Sequence, residues 1–309
     1  MCNGCLGVPH RSSNLSIRLR ELQLVISKLH WQIQCGLNLY LLLFVMSVSF
    51  GSQAQNIDKN AQLEHKRIFL LGEIHDNPNA HKSRLDFVVQ LIAERQNPVI
   101  AMEQFDRNNQ PALDLALSSC TDVNCVLSAA ATPGWEWSFY LPYIQLALEK
   151  KVTLVAANVS NADIRRVITK GFRAVYNDQA FTKYRLNQVP SSLLNAQSKS
   201  IREGHCNMLP TQAVGPMVEG QIARDIWMAS VIEGVNAQTV ILIAGNGHVR
   251  KDAGVFQWLS QASQNQTEVH GYTEKFDIDD ANWFDHTHVV TKIDREDPCM
   301  AFQKHLISK

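Results

Sequence analysis

Acidic and histidine side chains stand directly behind several apolar runs of this 309-residue chain. The stretch 70–81 reads LLGEIHDNPNAH, so Glu73 and His75 follow the first run closely. Glu103 closes a second run, and His248 follows a later one in AGNGHVR. Carboxylate oxygens and imidazole nitrogens can bind a divalent metal such as zinc or manganese, and a carboxylate can instead orient a histidine for acid–base chemistry. We predict one site of either kind from these four side chains.

Each of the two histidines ends a Gly-x-x-His motif, GEIH for His75 and GNGH for His248. Taken singly, a glutamate after a strand is usually a solvated loop residue, and a single histidine usually satisfies a nearby backbone group. Two glutamates and two histidines at equivalent places favour a shared site more strongly. Gly72 and the pair Gly245 and Gly247 would permit tight turns and close approach of the backbone there.

The elements that must carry these residues alternate between apolar runs and amphipathic stretches. The pattern predicts an α/β fold, a mostly parallel sheet flanked by helices. Strands are expected over 66–72, 97–103, 151–159 and 238–247, with helices over 79–95, 106–117, 160–170 and 251–261. Two late segments, TEVHGYT and FDHTHVVTKI, read as further strands, and the last is expected to be antiparallel at an edge.

The interval 171–236 breaks this rhythm and predicts a mostly helical insertion before the fourth strand. In parallel α/β sheets, ligands bind outside the carboxyl ends of the strands. Glu73, His75, Glu103 and His248 would therefore meet at one edge of the sheet, together with Asn158 at the end of the third strand.

Composition excludes some partners. Lys and Arg total 29 and Asp and Glu total 29, so the net charge is +0 and no nucleic-acid partner is expected. The hydrophobic fraction of 45% is enough for a sizeable core.

The N-terminal part of the chain has the features of an export signal. Basic residues precede the apolar run 37–50, and small residues around Ser52 and Ala54 suit a cleavage site. We expect an extension and secretory signal peptide over 1–54, followed by a single domain over 55–309. The alternative is a buried N-terminal helix or an uncleaved anchor. No cysteine stands at the cleavage point for a lipid anchor, so the expected location is the periplasm or another exported compartment.

Cysteine usage agrees with export. Removal of the leader would leave an even set of four cysteines, Cys120, Cys125, Cys206 and Cys299. An even set in an oxidising compartment suggests disulfides. Cys120 and Cys125 enclose only four residues and are the favoured pair, which leaves Cys206 for Cys299. The alternative is four free buried thiols.

Six blocks in this order resemble the ChaN-like haem-binding family: GEIHDNPNAH, AMEQFDR, LVAANVS, GHCNMLP, QIARDIWMA and AGNGHVRKDAGV. The resemblance runs from about residue 66 to 262. That family belongs with the Tiki/TraB group and is distantly similar to erythromycin-esterase-like enzymes. The resemblance implies a cell-envelope protein of iron and haem uptake. In the enzymatic relatives, two Gly-x-x-His motifs and a glutamate build the active centre, which maps here onto His75, His248 and Glu103, with Glu73 inside the first motif.

A haem would need an apolar slot and an axial ligand. The helical insertion offers candidates of the right chemistry: Tyr184, His205, Met208, Met217 and Met228. The alternative for the methionines is core packing. Arg250, with Lys251 beside it, could meet the haem propionates. The haem would lie between the insertion and the sheet edge, or at a homodimer interface formed by the insertion.

The predicted function is an exported haem-binding protein for haem or iron acquisition, working with envelope haem-uptake components. The alternative is a metal-dependent or acid–base hydrolase that uses the two Gly-x-x-His motifs and Glu103, and a third possibility is a scaffold with an inert site.

Three other features carry smaller expectations. His286 and His288 share a face of the last strand, lack an evident carboxylate partner and are expected to be surface histidines. Asp76 and His81 are expected to cap and start the first helix. The aromatic patch from Trp135 to Tyr140 is expected to pack in the core, and the alternative is the wall of a pocket.

Overall fold

A parallel sheet forms the centre of the fold. The computed structural model describes residues 66–300 and residue 303. Within these residues the sheet has six strands in the order β3-β2-β4-β1-β5-β6, and every neighbouring pair is parallel. The strands are β1 (Arg67–Leu71), β2 (Pro98–Asp106), β3 (Thr153–Asn158), β4 (Thr239–Ile243), β5 (Thr267–Thr273) and β6 (His286–Val289).

Helices connect these strands and cover both faces of the sheet. They are α1 (Pro78–Glu94), α2 (Gln110–Ser119), α3 (Val123–Ala130), α4 (Leu141–Lys150), α5 (Asn161–Lys170), α6 (Asp178–Lys183), α7 (Ser191–Gly204), α8 (Thr211–Gly234), α9 (Asn246–Val249), α10 (Gln261–Gln264) and α11 (Asp280–Trp283). No helix in the described part of the chain is both long enough and apolar enough to cross a bilayer.

The strands read as continuous apolar runs because the sheet is buried on both faces. In β1, Ile68 and Leu70 point into one core, which the helices of the insertion cover. Phe69 and Leu71 point the other way, into a second core formed with α1 to α4. Successive side chains of a strand alternate between faces, so one short run supplies both cores.

The predicted α/β fold with its mostly parallel sheet is confirmed. The insertion over 171–236 is helical as expected, with a 3-10 turn at Phe172–Ala174 followed by α6, α7 and α8. Disulfides join Cys120 to Cys125, as the spacing favoured, and Cys206 to Cys299, the pair that remained. The leader and cleavage site expected over 1–54 lie outside the described residues.

The late part of the chain differs from the expectation in two places. The last strand lies at the edge but is parallel to β5, with His270 opposite His286. Its direction follows from the connection, which crosses back through α11 instead of turning in a hairpin. The helix expected over 251–261 is a 3-10 turn at Val255–Trp258. The chain there folds back on α9, and the Gly254 amide donates to the Arg250 carbonyl.

The first two helices also begin differently from the expectation. Asn77, not Asp76, caps α1, since its side chain accepts from the amides of Asn79 and Ala80. Asp76 instead pairs with Arg295 at 3.1 Å. The helix expected from residue 106 begins at Gln110, after a 3-10 turn.

Gly72 allows the ends of two neighbouring loops to touch. A Cβ placed there would lie 2.1 Å from the Asn246 side-chain oxygen. Asn246 is fixed because its amide donates to the Tyr272 carbonyl at 2.6 Å and its oxygen accepts from the Tyr272 amide at 3.1 Å. The first Gly-x-x-His motif therefore needs its glycine for packing against the second motif.

We expect Gly72→Ala to lower the free energy of unfolding by about 1–3 kcal/mol, because the new methyl group displaces Asn246 from its bonds to β5. The matched control is Gly234→Ala at the exposed end of α8, where a Cβ would have nothing within 4 Å. Urea unfolding should show the control within about 0.5 kcal/mol of the unchanged protein. Equal stabilities for both variants would contradict this packing role.

Candidate functional site

Several side chains form hydrogen bonds with the buried carboxylate of Glu73 at the sheet edge. The residue is 3% exposed and lies two residues beyond β1. The guanidinium of Arg84, from α1, donates to Oε2. The hydroxyl of Tyr140 donates to Oε1 at 2.6 Å, and the Gln104 amide lies at 3.5 Å from the same oxygen. The carboxylate is thus held from three separate parts of the chain.

The charge of Glu73 is stabilised inside the protein. Burial alone would raise the pKa of this carboxyl, but the Arg84 guanidinium and the hydrogen bonds from His75 and Tyr140 lower the pKa well below its usual range. Arg84 has no exposed surface, so the pair is an ion pair in the interior. Removing one partner of such a pair leaves an uncompensated charge, which costs about 3–5 kcal/mol.

His75 is oriented by this carboxylate. Its Nδ1 lies 2.5 Å from Glu73 Oε1, while more than half of its side chain is exposed. Burial lowers the pKa of His75, but the hydrogen bond and charge of Glu73 outweigh it and the net pKa is raised. The ring packs against Trp135 and approaches Gly245, where a Cβ would lie 3.0 Å from Nε2. His75 is therefore a positioned histidine that solvent and ligands can reach.

His248 lies between two carboxylates. Its Nδ1 is 2.6 Å from Asp225 on α8, and its Nε2 is 3.4 Å from Glu103 on β2. The other oxygen of Glu103 accepts from the Gly245 amide at 2.8 Å. Gln197 donates to the second oxygen of Asp225 at 3.0 Å. This chain of contacts joins the insertion to the centre of the sheet.

The pKa values of this group reflect burial and mutual charge. Burial lowers the pKa of His248, but the charges of Glu103 and Asp225 raise it by more, so the net pKa is raised to about 10. Burial raises the pKa of Asp225 to about 6 although the His248 charge opposes this. Burial also raises the pKa of Glu103, and the His248 charge more than reverses this, so its net pKa is lowered. Both carboxylates therefore favour the imidazolium form of His248, whose Nδ1 bonds Asp225.

The four residues predicted from the sequence thus come to one edge of the sheet as two pairs, Glu73 with His75 and Glu103 with His248. The pairs approach each other where His75 faces Gly245. As an imidazolium, His248 has no lone pair for a metal until it loses a proton. The arrangement as it stands suits acid–base chemistry, with His75 oriented by Glu73 and His248 holding a proton beside Glu103.

Sequence analysis missed Arg84, Tyr140 and Asp225. Arg84 could have been found, since it follows Ala80 by four residues and precedes Val88 by four, on the apolar face of α1. Asp225 likewise lies between Ile222 and Ile226 in α8. A charge among core positions implies a buried partner. Tyr140 gave no such signal.

His81 stands in the first turn of α1 and also belongs to this site. It is buried, its Nε2 bonds the His75 carbonyl at 3.0 Å, and its ring stacks on Phe139 with 4.4 Å between centroids. The aromatic patch packs in the second core as predicted, with Tyr140 buried there, and Trp135 also lies beside His75.

A cleft of about 370 Å³ opens next to His248, between α5, α7 and α8. Its walls are apolar in part, through Ile164, Ile168, Ile201 and Gly220. The rest of its lining includes the polar side chains of His205, Arg224 and His248 and the thioether of Met217. Arg224 was not predicted; it donates to the side-chain oxygen of Asn158 at 2.5 Å and to Asn161 at 3.0 Å.

The predicted haem contacts separate in the structure. His205 and Met217 lie together in this cleft. Met228 has no exposed surface and packs in the core of the insertion. Tyr184 lines other cavities, beside Trp258. Arg250 pairs with Asp252, bonds Ser200 at 2.8 Å and stacks on Trp283.

His286 has a carboxylate neighbour that the sequence did not reveal. Glu268 of β5 lies 3.9 Å from His286 Nε2, because the parallel register brings the two strands side by side. His286 is exposed as expected, whereas His288 is half-buried and stacks on Tyr272 with 4.6 Å between centroids.

The comparison with known protein families decides the identity of the fold. Residues 60–259 match the profile described as haem-binding uptake, Tiki superfamily, ChaN. The chain belongs to this ChaN family. A search among curated proteins finds no match.

One solved ChaN structure shares this fold. The structure titled cofacial haem binding to ChaN of Campylobacter jejuni is 19% identical with a TM-score of 0.61, covering 76% of this chain and 91% of that one. An erythromycin esterase is 14% identical with a TM-score of 0.41, covering 69% and 71%. A Bacillus cereus protein is 14% identical with a TM-score of 0.39, covering 69% and 67%.

The raised pKa of His248 gives a pH dependence with a definite sign. The folded pKa of about 10 lies above the value of about 6.5 for an unfolded histidine. Its contribution to stability is therefore complete below about pH 6.5 and is lost as the pH rises towards 10. We expect Asp225→Asn to lower the His248 pKa and to weaken this loss.

Side-chain NMR titration of metal-free protein measures the His248 pKa directly, and urea unfolding between about pH 6 and 10 measures its effect on stability. His270 is an internal control, because burial and neighbouring histidines lower its pKa to about 3 and it stays neutral over this range. A His248 pKa near 6.5 in the unchanged protein would contradict the placement of its ring between the carboxylates of Asp225 and Glu103.

Proposed function

We propose that this ChaN-family protein is exported and binds haem in the cleft beside His248, for haem or iron acquisition at the cell envelope. The observation that carries this proposal is the meeting of His205 and Met217 in a partly apolar cleft. Imidazole and thioether are both axial ligands of haem iron, and apolar walls suit the porphyrin.

The residues of the cleft fit a haem in three respects. His205 Nδ1 bonds the Ile201 carbonyl at 2.7 Å, which fixes the ring and places the lone pair on Nε2. Met217 supplies sulfur from α8 in the facing wall. Arg224 is a partly buried cation in the lining of the cleft, where a propionate carboxylate would find a charged donor.

Bound haem would supply an iron centre, and the residues would hold it. His205 would ligate the iron, Ile164 and Ile168 would exclude water from one face, and Arg224 would orient the acid groups. Arg250 would contribute indirectly: its side chain ties Ser200, in the wall of the cleft, to Asp252. A homodimer through the insertion and envelope uptake partners stay predictions.

We expect purified protein titrated with haem to develop a Soret band at micromolar haem. His205→Ala should weaken haem binding about tenfold or more, because it removes an iron ligand and its oriented ring. Met217→Leu preserves the apolar volume and should change the band position if sulfur is the second ligand.

Tyr184→Phe is the matched control, since Tyr184 is the other candidate ligand and lies outside the cleft. It should bind haem as the unchanged protein does. Loss of binding in Tyr184→Phe with normal binding in His205→Ala would place the haem elsewhere. No spectral change at micromolar haem in the unchanged protein would overturn the proposal as a whole.

The second candidate function is a hydrolase, favoured by the oriented His75 beside the buried pair of Glu103 and His248. His75 would act as base or metal ligand, and Glu103 would orient water. The same preparation, examined by elemental analysis and with ester and peptide substrates, tests this. Zinc or manganese lost in His75→Ala, or a hydrolysis rate lost with it, would favour the hydrolase; metal-free and inactive protein would count against it.

We infer from two observations that the protein is exported. The apolar run 37–50 with its flanking residues predicts a cleaved signal, and the disulfides Cys120–Cys125 and Cys206–Cys299 suit an oxidising compartment. The second disulfide closes a loop with a sequence separation of 93 and ties the end of α7 to the C-terminal segment.

Expressed with its own leader in a Gram-negative host, the protein should be recovered from the periplasmic fraction, shortened at the N-terminus and without free thiols. Thiol titration in denaturant and N-terminal sequencing measure both properties. Full-length protein in the cytoplasm with four reactive thiols in 55–309 would contradict export.

A further inference from the structure

A cluster of histidines lies on the edge of the sheet away from the strand-end site. Glu268 and His270 are two apart on β5 and therefore share a face of the sheet. His286 and His288 share a face of β6, and the register sets His286 opposite His270 and His288 opposite Tyr272. The parallel pairing thus brings three imidazoles and a carboxylate together.

The ligand atoms of three of these residues converge. Glu268 Oε2 lies 3.8 Å from His270 Nε2 and 3.9 Å from His286 Nε2. One ligand atom from each residue can be chosen so that all three lie within 4.8 Å of one another. Ligands of a tetrahedral metal bound at about 2.0–2.1 Å lie about 3.3 Å apart. The exposed His286 and the partly exposed Glu268 would have to move their ligand atoms closer by up to about 1.5 Å.

These groups do not bond one another as they stand. A separation of 3.8 Å is beyond hydrogen-bond length. His270 is 4% exposed, and its buried Nε2 has no hydrogen-bond partner among the described residues. A buried polar atom left in this way is costly unless something else satisfies it. The Nε2 atom faces Glu268 and His286, where a cation would satisfy it.

The surrounding contacts prepare His270 and Glu268 as ligands. His270 Nδ1 lies 3.0 Å from His288 Nε2, so donation to His288 would leave the lone pair of His270 on Nε2. Phe87 packs against the His270 ring at 4.6 Å between centroids and restricts its rotation. The Arg67 guanidinium bonds Oε1 of Glu268, which leaves Oε2 facing the histidines.

We propose that Glu268, His270 and His286 form a binding site for a divalent transition metal, with His288 as a positioning residue. Two imidazoles and one carboxylate suit zinc, copper, nickel or cobalt, and not calcium or magnesium. The exposed side of the cluster leaves the fourth position to water or to a ligand from outside. This site is separate from the haem cleft and from the pairs of Glu73 and Glu103.

Cobalt(II) is the probe, since a four-coordinate site gives intense visible absorption. We expect chelator-treated protein to bind one Co²⁺ at the cluster, with bands that added Zn²⁺ abolishes. His286→Ala and Glu268→Gln should each weaken Co²⁺ binding at least about tenfold. Both changes are at accessible side chains, and circular dichroism checks that each variant folds.

Two control variants distinguish this site from metal binding elsewhere in the protein. Thr287→Ala lies on the opposite face of β6 and should leave Co²⁺ binding unchanged. His75→Ala reports on the strand-end site: any bands that it removes belong to metal bound there, and the bands of the cluster remain. The proposal would be overturned if the unchanged protein bound no Co²⁺. It would also be overturned if His286→Ala and Glu268→Gln bound Co²⁺ as tightly as the unchanged protein, or if all of the bands were lost in His75→Ala.

Discussion

A carboxylate buried at the end of the central strand constrains much of this structure. Glu73 has almost no contact with water, so its charge requires partners that the fold must bring to it. Arg84 docks α1 against the sheet, and Tyr140 fixes the connection that leads into α4. The same carboxylate orients His75. The packing of two helices and the aim of one reactive side chain thus depend on a single ionised group.

A second buried charge group connects the insertion to the sheet. His248 follows β4, Asp225 belongs to α8 and Glu103 to β2, so their contacts cross from the added helices to the strands. His248 also lines the cleft that holds His205 and Met217. The strand-end pairs and the proposed haem cleft therefore share one wall. A ligand in the cleft that moved or neutralised His248 would therefore change the charge at the strand-end pairs, and a ligand at the pairs would change the charge in the cleft.

Local pattern predicted the elements well and their relations less well. The apolar runs placed β1, β3, β4 and β5, and the late edge strand was found, because burial on both faces leaves a clear sequence signal. The direction of that strand was wrong, since an extended segment of a given pattern can pair either way. The prediction of a helix over 251–261 was wrong. Gly254 packs closely against the turn after His248, and this tertiary contact outweighs the local helical spacing.

The sequence by itself determined that Glu73, His75, Glu103 and His248 stand behind apolar strands, because strand and turn residues are local features. It also determined the α/β fold and the spacing that favoured the disulfides. Only the tertiary structure decided that these residues form two carboxylate–histidine pairs, that Arg84 and Asp225 complete them, and that Glu268 faces His286. Those contacts join residues far apart in the chain, and side-chain charge is compensated through space, which no local pattern records.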